Sequence, residues 1–147
     1  MDWRLILKIL VPSDGSDCAL RALDYAIHLV NLLGADASIT LISVHDDAGL
    51  KHVKKHFPKG TVVDFLHDLS VKELKSSRHK LDKFSLDYEV IIKTGHVAGE
   101  IVKVAKSGKF DLIVMGAKGR STFSDLLIGS VAQRVLSATH APVTLIK

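Results

Sequence analysis

The sequence predicts an open α/β fold, a parallel sheet with helices on both faces, built as one domain. Three observations predict it. Apolar runs of strand length alternate with stretches of helical periodicity along the chain. The runs are almost continuously apolar rather than alternating in polarity, as in strands buried on both faces. The 147 residues suffice for one domain with a real core. No repeat, linker or low-complexity stretch divides them, so the domain is expected to span residues 1–147.

The first strand is expected over Leu5–Val11, ended by Pro12, Ser13, Asp14 and Gly15. Ser16 or Asp17 can then N-cap a helix. Ala19, Ala22, Leu23, Ala26, Ile27, Val30 and Leu33 follow helical spacing, and Gly34 suits its stop. Ser38–Val44, rich in β-branched residues, is the second strand. His45–Gly60 reads as polar and irregular. A second helix covers Val62 to about Phe84, with Val63, Leu66, Leu69, Leu74 and Leu81 on its inner side. Asp87–Ile92 is the third strand, Ala98–Lys106 a short amphipathic helix ending near Gly108, and Leu112–Met115 the fourth strand. Ser130–Ala138 forms the last helix and Pro142–Ile146 the last strand.

Composition excludes several classes. Hydrophobic residues make up 47% and charged residues 24%, ordinary for a soluble domain. No apolar run reaches the ~18 residues of a membrane span, and the N-terminus lacks a signal-peptide pattern. Cys18 is the single cysteine, which precludes an internal disulfide and fits a reducing compartment. A cytoplasmic location is expected. The net charge of +4 is spread along the chain. Its densest cluster, Lys51–Lys59, lacks the interleaved aromatics of a stacking surface, so a solvated loop is favoured over a nucleic-acid site.

Ligands of open α/β sheets sit beyond the carboxyl ends of the strands, where the strand order reverses. Two loops qualify. One is Pro12–Ser16, after the first strand. The other carries Gly116 and Gly119, nine intervening residues, then Gly129 and Ser130, between the fourth strand and the last helix. Glycines let backbone N–H groups approach a ligand closely, and a helix N-terminus adds unpaired donors and partial positive charge. Together they can cradle phosphate oxygens; the plainer alternative is two turn glycines and a helix cap. Two readings likewise fit Asp14: a carboxylate for ribose hydroxyls or a phosphate-bound metal, or a turn-former bonding its own backbone. Neither G-x-x-x-x-G-K-[ST] nor G-x-G-x-x-G after the first strand is present, so neither a P-loop NTPase nor a dinucleotide-binding protein is supported.

These residues resemble the universal stress proteins, specifically their ATP-binding branch. The family's G-x-x-G-x9-G-[ST] motif is met by Gly116, Gly119, Gly129 and Ser130, and its V-P-x-D-G-S signature by Val11–Ser16. The resemblance spans about Leu5 to Lys147 and is weakest over Asp46–Ser85. It implies a Rossmann-like, five-stranded parallel sheet of order 3-2-1-4-5. It further implies ATP, with Mg²⁺, bound between the first and fourth strands. Adenine would lie against backbone at Val44, with Asp14 and the Pro12 turn on adenosine and Met115 lining the pocket. Gly116, Gly119, Gly129, Ser130 and the Val131 amide would hold the phosphates. Family members commonly form homodimers through the last strand, here Val143, Thr144, Leu145 and Ile146; Thr144→Pro is expected to remove a donor from that pairing. Departures from the family are Ser13 for a common Val, Ala117 and Lys118 for a frequent Ser-His pair, and Gln133 for a frequent Glu. Lys118 fits a phosphate contact or a solvated loop lysine equally well.

Three functions compete. One is an ATP-binding stress-response or signalling module with little or no turnover, with slow hydrolysis compatible. Another is an ATP-hydrolysing or adenylating enzyme of the related ATP pyrophosphatase class. Its S-G-G-x-D-S loop is only superficially matched, because Asp14 takes the second glycine's place and Cys18 the final serine's. A scaffold without nucleotide is the third, and the intact glycine loop argues against it. No base and nucleophile pair for catalysis is identifiable. His52 and His56 are four apart without a third ligand, so solvated histidines are favoured over a metal. His96 and His140 read as loop and turn residues. Cys18 reads as a small packing residue, with a helix-lowered pKa as the alternative.

Overall fold

The computed structural model describes residues 6–120 and 127–147. Its strands are β1 (Leu7–Pro12), β2 (Ala37–His45), β3 (Tyr88–Thr94), β4 (Leu112–Gly116) and β5 (Val143–Ile146). They form one sheet of order β3-β2-β1-β4-β5, parallel at every pairing. The helices are α1 (Asp17–Leu33), α2 (Lys51–Lys54), α3 (Thr61–Glu73), α4 (Lys75–Lys83), α5 (Val97–Ser107) and α6 (Ser130–Ala138). The order reverses between β1 and β4, so their two following loops face one crevice, as the sequence predicts. Leu5, the expected start of the first strand, lies outside the described residues.

The central strands β1, β2 and β4 bury both faces, and the side-chain alternation of a strand divides the core in two. Ile9, Val11, Ile39, Leu41 and Val114 meet Ala22, Leu23, Ala26 and Ile27 of α1 and Leu81 of α4. Leu10, Ile42, Ile113 and Met115 meet Ala98, Ile101 and Val104 of α5 and Ala132 and Val135 of α6. Ser16, not Asp17, caps α1: its hydroxyl accepts from Ala19 N at 3.2 Å. Gly34, at φ 67°, ends α1 with its N–H on Val30 O. Cys18 is buried, and its thiol donates to Ile146 O at 3.0 Å, tying α1 to the last strand.

The middle of the chain departs from expectation in detail. His45–Gly60 is not wholly irregular: a 3-10 turn at Ala48–Leu50 leads into α2. Asp46 Oδ1 accepts from Ala48 N at 2.7 Å, and the Asp47 carboxylate pairs with Lys54. That ammonium holds the Asp47 carboxyl below its ordinary range. The long second helix is interrupted only at Leu74, and bonds from Leu74 N to Ser70 O and from Arg78 N to Leu74 O carry the ladder across. Its buried line is Val62, Leu66, Ser70, Leu74, Ser77 and Leu81. Val63 is 44% exposed, and Leu69 is half-buried. Leu66, Leu74 and Leu81 lie on the inner face as expected, but two of its positions are serines, so apolar residues alone trace it only in part. His96 is more than a loop residue: its Nδ1 accepts from Gly99 N at 3.0 Å and caps α5. His52, His56 and His140 are exposed.

β5 forms one edge of the sheet. Pro142 O accepts from Ile113 N and Ile146 O from Ala117 N. By the two-residue period of a parallel ladder, Thr144 also turns its backbone groups toward β4, while Val143 and Leu145 turn theirs outward. Thr144→Pro would therefore damage the sheet itself and is not the variant that tests an edge pairing. No helix among the described residues is long and apolar enough to cross a membrane.

Candidate functional site

The carboxyl ends of β1, β2 and β4 border a crevice of about 290 Å³, closed by the first turn of α6, the start of α5 and the end of α3. Pro12, Asp14, Val44, Met115, Gly116, Gly119, Gly129, Ser130 and Val131, the nine residues expected at the site, all line it.

One wall is apolar. Ile42 and Val44 project from β2, Met115 from β4, and Val97 and Ile101 from α5. Alternation along β2 explains why Val44 faces α5 while its neighbours Ser43 and His45 face α3. Such a wall, with a few converging polar groups, suits a flat apolar ring.

The polar side is built from backbone. Gly129 N donates to Ala117 O, and Ala117 N to Ile146 O, both at 2.7 Å. These bonds draw the two ends of the glycine loop together; residues 121–126 within it lie outside the described residues. Gln133 N donates to Gly129 O, the first bond of the α6 ladder. The N–H groups of the first α6 residues, Ser130 and Val131 among them, therefore have no partner within the helix. Gln133 Nε2 also donates to Ile128 O at 3.0 Å, a bond that the Glu frequent at this position could not donate. Gly129 has φ −71° and ψ 161°, extended backbone open to any residue. The glycine is thus not demanded by backbone strain there.

Asp14 joins the two loops. Its Oδ1 accepts from Ser16 N at 2.9 Å, the turn-forming role, and its Oδ2 accepts from Arg120 N at 3.1 Å. A Cβ on Gly119 would stand 2.9 Å from that Oδ2 and would push the carboxylate aside. Gly15 has φ +77°, which favours glycine, and a Cβ there would also lie 3.0 Å from the Glu73 backbone O. Gly116 makes room for α1, since a Cβ there would come within 3.0 Å of Cys18 Sγ and 3.1 Å of Cys18 C.

Three charged or polar residues at the crevice went unrecognised in the sequence: His45, Glu73 and Arg120. Glu73 Oε2 meets His45 Nε2 at 2.8 Å, and Glu73 Oε1 meets Arg120 Nη1 at 3.3 Å. The Glu73 side chain is 9% exposed, against 54% for Arg120. Two had a usable signal, because His45 follows Val44 at a strand's carboxyl end and Arg120 follows Gly119 in the glycine loop. Glu73 had none; it sits on a helix whose buried line is hidden by serines.

Residues 6–147 match the sequence model of the universal stress protein family. The chain belongs to that family. Among universal stress proteins, it is 34% identical to MJ0531 of Methanocaldococcus jannaschii, over 97% of this chain and 83% of the relative. It is 30% identical to YxiE of Bacillus subtilis, over 95% of this chain and 98% of the relative. The solved structure of MJ0577 superposes with a TM-score of 0.84 at 27% identity, covering 97% and 96% of the two chains. A universal stress protein in complex with cAMP superposes with a TM-score of 0.71 at 23% identity, covering 97% and 98%. At3g01520 of Arabidopsis thaliana, with AMP bound, gives 0.67 at 19%, covering 95% and 90%. The last two establish a shared fold. The site residues of this universal stress protein fall on the loops the fold offers to a ligand, and the segment the resemblance covers least, Asp46–Ser85, supplies Glu73.

Proposed function

We propose that this universal stress protein is an adenine-nucleotide-binding module of stress response or signalling that holds ATP with Mg²⁺ and turns it over slowly or not at all. The observation that carries the reading is the convergence on one crevice of an apolar wall at Val44 and Met115 with a backbone-lined loop at a helix N-terminus. Adenine fits the first, and phosphates fit the second. The cAMP and AMP complexes of proteins with this fold support an adenine ligand. Gly116, Gly119 and Gly129 would admit phosphate oxygens to backbone N–H groups, with Ser130 and Val131 at the helix entrance. Pro12 and Asp14 would border the adenosine. Mg²⁺ would ride on the phosphates rather than in a protein cage, in keeping with its reluctance to dehydrate fully. The lone Cys18 supports a cytoplasmic setting.

Isothermal titration with ATP, ADP and AMP tests the binding reading, and incubation of the ATP complex with Mg²⁺ for hours tests the turnover. The reading expects saturable ATP binding and uncleaved nucleotide. Absence of binding contradicts it, and rapid release of ADP or AMP favours the enzyme class instead.

The same reading includes a homodimer through the β5 edge, Val143–Ile146, where an unpaired apolar strand would otherwise invite aggregation. Leu145→Pro removes an outward donor while sparing the ladder to β4. It is expected to shift sedimentation from dimer to monomer, and a wild-type protein that sediments as a monomer at every concentration rejects the dimer.

A further inference from the structure

We infer that Arg120 makes the crevice sensitive to the number of phosphates, exchanging its bond to Glu73 for bonds to the terminal phosphate of a di- or triphosphate. This rests on the adenine-nucleotide reading above and assigns a specificity role within that site. The backbone of Arg120 is already anchored at the polar side of the crevice: its N–H is fixed on Asp14 Oδ2 at 3.1 Å, directly after Gly119. Only its side chain is left to choose a partner. The guanidinium runs back over Gly15, so close that a Cβ there would meet Nη2 at 2.7 Å, and ends on Glu73 at the last residue of α3.

That partner is held loosely. One nitrogen, Nη1, meets one oxygen, Oε1, at 3.3 Å, and the arginine side chain is 54% exposed. With Glu73 nearly buried but the arginine more than half in water, one long single bond is a weak hold on the guanidinium. A terminal phosphate offers more charge and several oxygens to a planar fork that can bond two at once. The exchange is therefore favourable once a phosphate comes within reach of the loop's end. AMP carries only the phosphate next to its ribose and leaves the Glu73 bond intact.

The departure of Arg120 does not orphan Glu73. Its other oxygen keeps His45 Nε2 at 2.8 Å, with the imidazole donating.

Titration of ATP, ADP and AMP into the wild type, Arg120→Ala, Glu73→Gln and the double variant tests this. Arg120→Ala is expected to weaken ATP about tenfold or more, as for a lost charge-assisted bond, and to change AMP by less than about twofold. Glu73→Gln is expected to tighten ATP about twofold to fivefold by releasing the arginine. That gain should vanish in the double variant. Equal weakening of ATP and AMP in Arg120→Ala overturns the inference. So does a Glu73→Gln gain that persists without Arg120, because it would report simple repulsion of phosphate by the carboxylate. If the wild type binds none of the three nucleotides, the site reading itself fails. Binding with an ATP-to-AMP ratio unmoved by Arg120→Ala rejects the exchange alone.

Discussion

Among the described residues, backbone bonds and the Asp14 carboxylate hold the loops after β1 and β4, whereas side-chain contacts hold the wall that α3 adds to the same crevice. On the first side, Ser13 N donates to Ile42 O, Gly129 N to Ala117 O and Ala117 N to Ile146 O. Asp14 ties the two loops through the N–H groups of Ser16 and Arg120. On the second side stand the Ser43–Ser70 hydroxyl pair and the contacts of Glu73 with His45 and Arg120. A loop drawn against a neighbouring atom favours glycine at the point of approach, and that leaves a signature at fixed spacing. A side-chain pair can be replaced by another pair of similar size and leaves none.

Substitutions can break or sharpen this contrast. The largest effects are expected where both regions enter the core. Leu10 lies under the glycine-loop half and Leu74 at the α3–α4 junction, and both are 0% exposed. Leu10→Ala and Leu74→Ala should each lower unfolding free energy by about 2–5 kcal/mol in urea titrations. A loss well below ~1 kcal/mol for Leu74→Ala would mean that the middle segment is a loosely attached addition. Asp14→Ala removes two charge-assisted bonds to backbone and should cost about 2 kcal/mol while weakening ATP, because it frees both loops. Stability unchanged in thermal melts would deny its clasp. Ser70→Ala strands the Ser43 hydroxyl, 1% exposed, and should cost about 1–2 kcal/mol. The smallest effect has the opposite sign. Ser77 is 0% exposed, and its Oγ has no hydrogen-bond partner among the described residues. Ser77→Ala should leave the melting temperature unchanged or raise it, by less than about 1 kcal/mol; a clear drop would reveal a partner for that hydroxyl.

The legibility of the sequence follows the same division. The strand positions, the α6 span Ser130–Ala138, the Gly34 stop and the two loops that meet at the crevice could be read because apolar runs and glycine spacing report backbone constraints directly. The resemblance to a family supplied the order of strands that periodicity alone leaves open. Ser70 and Ser77 hid the inner face of the middle helices, since two hydroxyls can pack where hydropathy expects hydrocarbon. Of the five expected inner positions, Leu66, Leu74 and Leu81 are buried, whereas Val63 and Leu69 stand in for the two serines. Glu73 was illegible because its place depends on that stripe, and with it went the link from α3 to Arg120. The direction of the Thr144 backbone was beyond reach for another reason: which alternate residues face outward depends on the register with β4.

The central claim is that the loop from Gly116 to Ser130 receives the phosphates of an adenine nucleotide, and Gly129→Val tests it most directly. Gly129 has ordinary extended backbone (φ −71°, ψ 161°), so valine acts there through its bulk in the crevice and not through strain. Isothermal titration with ATP should show saturable binding to the wild type and none to Gly129→Val, with unchanged circular dichroism and melting temperature. Equal ATP affinity for the two proteins, both folded, would contradict the account.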